Sequence, residues 1–349
     1  MKKNNRLIYL LIIILVIWNV VLTIVYVNNK QYSIEHTNVN ETTVTGFSTD
    51  LTKVVESSKA GVVVVETNMS LSSGIVYKYD NGVCYIVTTA HSVADASSIS
   101  VVFASGATYD ASLLDKDNFA DIAVLKVETN VEIAPIKLGD SELLKDGEFL
   151  TCIGTPKNTQ YAFSNELAVV SSKLRTITNS ITFDDNLYEY YTSIIQLSSN
   201  VAEGYSGAPI INMNGEVVGL ITMKDANATF ALPINEIVIV ANNIIDETEY
   251  NKIQLGVKGL FVNELEMYEK TQLNIPLDVN NGFYVNGVKV TTLASNMGVK
   301  QGDVILTING LAINSYNDLL AVEYSEATSF DLEIVRSNEI INLVGSIND

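Results

Sequence analysis

The sequence predicts an all-β fold of two barrels, preceded by an apolar helix and followed by a smaller module of mixed strands and helices. Three observations predict it. Short apolar runs recur at close spacing with Gly, Asp and Asn between them, the pattern of a sandwich or barrel rather than a parallel sheet. The runs fall into two sets, one ending with Ala134–Lys137 and one beginning with Phe149–Ile153. A helical stripe of Ile237, Val238, Val240, Ala241, Ile244 and Ile245 within Asn235–Glu247 then closes the domain.

At 349 residues the chain is long enough for two domains with separate cores. Leu7–Val27 is a run without a charge, and Asn19 is its one strongly polar side chain. A membrane-spanning helix needs roughly 20 such residues. Lys2, Lys3 and Arg6 precede the run, so residues 1–6 are expected in the cytoplasm and everything after residue 27 outside it, as a single-pass membrane protein. A cleaved signal peptide is the competing reading. Its apolar core would be shorter and would end in small residues, whereas this run ends Ile24-Val25-Tyr26-Val27-Asn28. Residues 28–49 are polar and without apolar period, and read as a tether.

Composition narrows the partners. Apolar residues make up 47% and charged residues 17%, as in a folded protein with a membrane segment. The formal net charge is −19, and after residue 27 there are 18 basic against 40 acidic side chains. Such a surface repels phosphate backbones, so no nucleic-acid partner is expected. Cys84 and Cys152 are the only cysteines, each in an apolar strand-like run. They read as buried free thiols, with a Cys84–Cys152 bridge left open because sequence does not give their separation.

The first domain is expected over 50–247. Asp50 would cap a short helix through Ser58 with Leu51, Val54 and Val55 inward. Val62–Glu66 is a strand, and Ile75–Tyr79 and Val83–Thr88 flank Asp80-Asn81-Gly82, a hairpin signal. Ile99–Phe103, Thr108–Leu114, Ala123–Val127 and Ala134–Lys137 complete the first set. The second comprises Phe149–Ile153, Ala168–Ser172, Ile181–Phe183, Tyr190–Leu197, Ile210–Asn212, Val217–Thr222 and Phe230–Pro233. Glu247–Asn251 reads as a linker. A second domain is expected over 252–349, with strands at Val257–Val262, Gly282–Thr292, Gly302–Asn309, Phe330–Arg336 and Ile340–Val344 and a helix at Tyr316–Tyr324.

Glu203-Gly204-Tyr205-Ser206-Gly207-Ala208-Pro209 holds a serine between glycines. Glycine costs conformational entropy, and a tight turn presenting Ser206 Oγ repays it. In that turn the N–H groups of Gly204 and Ser206 would form an oxyanion hole. By itself the pattern also occurs in ordinary surface turns. A serine hydroxyl needs an adjacent base, and imidazole serves best near neutral pH. The chain has two histidines, and His36 lies in the tether, which leaves His91. Asp121, at the head of an apolar strand, would hold the imidazole; Asp115 and Asp117 are nearby alternatives. No cofactor is expected: one structured histidine and two separated cysteines make no zinc shell, and no phosphate loop is present.

The order His91, Asp121, Ser206 is that of a chymotrypsin-type triad. Thr89-Ala90-His91, Asp121-Ile122-Ala123-Val124-Leu125-Lys126 and Gly204-Tyr205-Ser206-Gly207-Ala208-Pro209 together resemble the trypsin-like serine proteases of the HtrA (DegP/DegS-like) group, over about Leu51 to Asp349. Gly302-Asp303-Val304-Ile305-Leu306 with Ile308-Asn309-Gly310 resembles the PDZ domains of that group. The resemblance implies a chymotrypsin-like double β-barrel with the site between the barrels, followed by a small α+β PDZ domain. It implies ATP-independent cleavage of misfolded or regulatory proteins outside the cytoplasm, a homotrimer, and control of activity by the PDZ domain.

Substrate is expected antiparallel beside Thr222-Met223-Lys224, with a side-chain pocket near Asn200, Val201 and the Ala226–Thr229 loop taking small or medium apolar groups. Leu255-Gly256-Val257 sits where the group has its carboxylate-binding loop for carboxy-terminal peptides. The sequence departs from the group's pattern at Tyr205, where many members have Asn. It departs again at Gln196-Leu197-Ser198-Ser199, usually Gln-Thr-Asp-Ala, and over Leu174 to Tyr190, which reads as an idiosyncratic sensor loop. The Tyr205 change is expected to alter a neighbouring surface. A catalytically silent peptide-binding sensor and a dedicated site-specific protease acting on one membrane partner remain the alternatives.

Overall fold

Four consecutive valines, Val62 to Val65, are all fully buried, which a strand achieves only when both of its faces are covered. In the computed structural model Val63 and Val65 point into one core and Val62 into another. The structure describes Asn19 and residues 51–129, 132–183, 186–224, 228–250 and 252–347. The Leu7–Val27 run, apart from Asn19, and the tether lie outside those residues. Among the described residues no helix is long and apolar enough to cross a membrane. By internal contacts the chain divides into residues 1–53 and residues 54–349.

The first barrel comprises β1 (Val62–Thr67), β2 (Leu71–Asp80), β3 (Val83–Thr88), β4 (Ile99–Phe103), β5 (Thr108–Asp117) and β6 (Ile122–Glu128). They run in the order β1-β2-β3-β6-β5-β4, closed by antiparallel pairing of β1 with β4. Asn81 and Gly82 both have positive φ, the two-residue turn that matches strand twist, with Asp80 opposite Val83. Residues 134–137, expected as a strand, are an extended connector instead. Ile136 N–H donates to Val76 O and Val217 N–H donates to Lys137 O, so the segment is satisfied by neighbours on both sides without a continuous ladder.

The second barrel comprises β7 (Phe149–Gly154), β8 (Ser164–Phe183), β9 (Asn186–Leu197), β10 (Pro209–Ile211), β11 (Val217–Lys224) and β12 (Thr229–Pro233). Its order is β10-β11-β12-β9-β8-β7, closed by β10 with β7. The segment from Leu174 to Tyr190 is not a loop. β8 and β9 pair from Val170↔Leu197 to Phe183↔Asn186 and project as one long hairpin. Its run of Thr, Ile and Tyr residues suits a pleated strand.

Cys84 lies in the core of the first barrel and Cys152 in that of the second; both are free and buried. A third core fills the junction. Val62, Ile75, Val87 and Val124 of the first barrel meet Ile153, Ile211, Val217 and Leu220 of the second. Ile237, Val240, Ala241 and Ile244 of the helix Ile234–Ile245 seal them.

After residue 252 a further sheet forms, with β13 (Val257–Phe261), β14 (Phe283–Val288), β15 (Val304–Ile308), β17 (Ser329–Arg336) and β18 (Glu339–Ser346) in the order β13-β14-β15-β17-β18. The two-residue β16 (Leu311–Ala312) pairs with β15. Helices Met267–Gln272 and Leu293–Asn296, not anticipated in the sequence, join Tyr316–Glu323 around it. Buried Asp303 is held by Arg336, whose Nε and guanidinium nitrogen donate to its two oxygens at 2.7 Å each.

Candidate active site

β3 and β6 are adjacent strands, with Thr88 opposite Ala123, so the end of one and the start of the other meet. Past Thr88 the chain turns into the short helix Ala90–Val93, which carries His91. Before β6, Asp117 Oδ1 accepts from the N–H groups of Phe119 and Ala120 at 2.8 and 2.9 Å, curling the loop back. Asp121 then sits at φ 56°, a left-handed conformation that aspartate tolerates better than most residues. Its carbonyl accepts from Ala90 N–H at 3.1 Å, which ties the two loops together.

Asp121 Oδ1 accepts from His91 N–H at 2.9 Å, and Oδ1 and Oδ2 lie 3.0 and 2.8 Å from His91 Nδ1. A carboxylate only accepts, so in the neutral ring the proton sits on Nδ1 and Nε2 is free to accept. Ser206 Oγ is 3.1 Å from Nε2 and donates to it. Thr222 Oγ1 donates to Asp121 Oδ2 from the second barrel. Of the alternatives to Asp121, Asp117 is spent on its turn and Asp115 accepts from Lys116 N–H. Burial opposes the charged imidazole, but the hydrogen bond and charge of Asp121 outweigh it. The His91 pKa therefore lies above the usual 6.5.

The turn around Ser206 is fixed through its carbonyls. Glu203 O accepts from Lys157 N–H at 2.9 Å, and Tyr205 O accepts from Ala208 N–H at 2.8 Å. Across a trans peptide the N–H points opposite to the C=O, so these contacts aim the Gly204 and Ser206 N–H groups the other way. Ser73 of β2 reaches over from the first barrel: its N–H donates to Ser206 O at 2.8 Å and its Oγ to Gly204 O at 3.0 Å. The glycines are obligatory. A Cβ on Gly204 (φ +96°) would lie 2.0 Å from Thr155 O, and one on Gly207 (φ +78°) 2.1 Å from Ser73 O.

Residues 72–220 match the family described as trypsin-like peptidase domain. The chain is 29% identical over 265 residues to the serine protease Do-like HtrA of Lactobacillus helveticus, covering 73% of this chain and 62% of that protein. It is 28% identical over 360 residues to a serine protease HtrA-like of Staphylococcus epidermidis, covering 95% and 60%. The chain carries a trypsin-like peptidase domain homologous to the HtrA serine proteases. It spans about three-fifths of the length of those two relatives. The solved HtrA-type protease AlgW with tripeptide shares the fold, with a TM-score of 0.58 at 23% identity over 84% of this chain and 95% of that one.

Within this HtrA-like domain the remaining expected positions have distinct surroundings. Thr222 is buried and spends its hydroxyl on Asp121, which makes it a positioning residue. The ladder between β10 and β11 ends with Ala208 and Ile221. Met223 and Lys224 therefore pair with β12, Thr222 sits at a break in that register, and no strand pairs with their other edge among the described residues. Met223 is half-buried in a cleft of about 540 Å³ that His91, Asp121, Asn179, Tyr190 and Thr222 also line. Val201 packs into the core of the second barrel, Asn200 is exposed, and residues 225–227 lie outside the described residues.

Tyr205 does not alter a surface. It is 1% exposed, packs inside the second barrel against Gly154, and donates from its hydroxyl to Ser164 O at 3.2 Å. The aromatic ring has enough apolar area to fill a core position beneath the serine turn. Ser73 is not among the sequence-predicted site residues; its signal is the pair of small polar residues Ser72-Ser73 just ahead of the apolar Ile75-Val76 in β2. No group of three His, Cys, Asp or Glu among the described residues is arranged to hold a metal.

In the carboxy-terminal sheet, Gly256 has φ +79° and a Cβ there would sit 2.0 Å from Thr292 Oγ1. Gly256 O accepts from Lys289 N–H at 2.8 Å, and Leu255 N–H donates to Ile253 O at 3.0 Å. The N–H of Leu255 is thus engaged within its own turn.

Proposed function

We propose that this chain is a serine endopeptidase of HtrA type, tethered to a membrane through Leu7–Val27 with residues 50–247 outside the cytoplasm. The observation that carries the reading is the hydrogen-bonded series from Ser206 Oγ through His91 to Asp121 across the barrel junction. Ser206 Oγ attacks the scissile carbonyl carbon as its proton passes to His91 Nε2, and Asp121 stabilises the imidazolium that forms. The carbonyl oxygen, now an alkoxide, is received by the N–H groups of Gly204 and Ser206. His91 then returns the proton to the leaving amine as the C–N bond breaks. Water adds to the acyl-serine by the same route, with His91 as base, and releases the second product.

The open edge of residues 222–224 supports the binding of an extended peptide as an added strand. The strand and helix order after residue 252, with the positive-φ glycine between Leu255 and Val257, supports a PDZ-like peptide-binding domain. Self-assembly into a trimer belongs to the same reading through the resemblance to the HtrA group.

Cleavage of unfolded casein by the full chain in detergent micelles tests the activity. His91→Ala is expected to abolish turnover as completely as Ser206→Ala. Near-normal turnover in His91→Ala would remove the proposed mechanism.

A further inference from the structure

The charges around the catalytic cleft are unequal. Of the side chains lining its volume of about 540 Å³, Asp121 is the one carboxylate, and it is engaged by His91 and Thr222. Lys116, half-buried near the end of β5, lines the same cleft and forms no ion pair among the described residues. Its two acidic neighbours are committed elsewhere. Asp115 lines a separate cavity beside Asn243 and Tyr250, and Asp117 accepts from the N–H groups of Phe119 and Ala120 and from Tyr250 OH at 3.2 Å. Successive strand residues face opposite sides, so Lys116 alone of the three turns to the cleft. A partly buried ammonium has lost hydration, and a carboxylate on a ligand would replace it.

The facing wall also offers donors. The arm formed by β8 and β9 contributes Asn179, Ser180 and Tyr190 to the cleft. Tyr190 OH accepts from Asn179 Nδ2 at 3.1 Å, and its own hydrogen meets no acceptor among the described residues. Burial raises the Tyr190 pKa to about 12, so the hydroxyl keeps that hydrogen near neutral pH. A peptide added antiparallel along residues 222–224 alternates its side chains. With the residue before the scissile bond turned toward Val201, the second and fourth residues before that bond face His91, Met223 and the walls that carry Lys116 and Tyr190.

We propose that Lys116 is a specificity-determining residue: with Tyr190 it selects polypeptides that carry an aspartate or glutamate at the second or fourth position before the scissile bond. This deepens the proposed protease reading and rests on it. The Lys116 ammonium and the Tyr190 hydroxyl both donate, and a side-chain carboxylate only accepts. A lysine or arginine at the same position would set like charges together. Discrimination therefore comes from repulsion as well as attraction.

The test maps the bonds that the full chain in micelles cuts in unfolded, carbamidomethylated serum albumin and lysozyme. Mass spectrometry reads the residues before each bond, with frequencies normalised to substrate composition. Asp and Glu at the second or fourth position are expected about fivefold over Lys and Arg, the size of a partly exposed ion pair, and the ratio should shrink at high salt. Lys116→Glu is expected to invert it. Lys126→Glu makes the same charge change on β6, in a lysine paired with Glu128, and should leave the ratio as in the parent. Only folded enzyme cuts, so a loss of folded protein does not move the ratio. An even distribution in the parent, a ratio unmoved by Lys116→Glu, or the same inversion in Lys126→Glu would overturn the selectivity. Cleavage that is absent, or that persists in Ser206→Ala, would instead overturn the proteolytic reading, and the selectivity with it.

Discussion

Asp121 and Glu236 are both carboxylates at the centre of a polar cluster, and they differ in what is left open. Asp121 accepts from His91 and Thr222, and the imidazole it holds is 49% exposed on its far side, where it meets Ser206. Glu236 is 1% exposed. Its Oε1 accepts from Lys252 and from Tyr324 OH at 2.8 Å, and its Oε2 accepts from Tyr316 OH at 2.9 Å. The partners of Glu236 are closed in on one another, with Lys252 also 3.9 Å from Glu323 Oε2, and they fasten the helix Ile234–Ile245 to the helix Tyr316–Glu323. The partner of Asp121 has a second nitrogen to pass a proton through. A satisfied cluster holds structure, whereas one with an open, titratable end performs chemistry.

The two clusters differ most at Ser206 and His91. Ser206→Ala or His91→Ala is expected to lower kcat/KM by about 10⁴-fold or more, with the thermal midpoint nearly unchanged. Steady-state kinetics beside a melting curve would expose the opposite pattern. At the other cluster the effects invert. Glu236→Gln leaves Lys252 underpaired in a buried site and is expected to cost about 3 kcal/mol of stability, while turnover by the folded protein persists. Denaturant titration reads the first and active-site titration the second.

Thr222→Val isolates the donor that reaches Asp121 from the second barrel. It deletes one donor to a charged acceptor, and kcat is expected to fall about tenfold with KM little changed. The two clusters also differ in pH response. Since the His91 pKa lies above 6.5, its base form is lost as pH falls through that raised value, and the acid limb of kcat/KM should lie above pH 6.5. Asp121→Asn leaves burial unopposed and should move that limb downward. Burial pushes Glu323, beside Lys252, up to about 7 from 4.5. A carboxyl with a raised folded pKa binds more protons folded than unfolded, so stability declines as pH rises between about 4.5 and 7. Glu323→Gln should flatten that decline, the smallest of these effects.

Much of this was legible in the sequence for a physical reason. His91, Asp121 and Ser206 stand at strand ends or in a glycine turn, where local residue chemistry dictates geometry, and strand alternation separated the two barrels. Thr222 and Ser73 were not legible as positioning groups, because each acts on a residue of the other barrel, and register across barrels leaves no local trace. Within the β8–β9 arm, Ile181–Phe183 and Tyr190–Leu197 are legible as strands, whereas the stretch after Leu174 reads as a loop only because it departs from the group's pattern; its Thr176, Ile177 and Thr178 favour a strand. Tyr205 was misplaced for a related reason: the turn suggested a surface, and only the barrel beneath shows where the ring goes.

Activation of Ser206 by His91 is read most directly by covalent labelling of the full chain with a fluorophosphonate, with the modified residue identified by peptide mapping. A hydroxyl activated by His91 beside two aimed N–H groups is expected to label at Ser206 alone. Labelling should rise with pH through the His91 titration and vanish in His91→Ala. Absence of labelling at any pH, or labelling that survives in His91→Ala, would contradict the account.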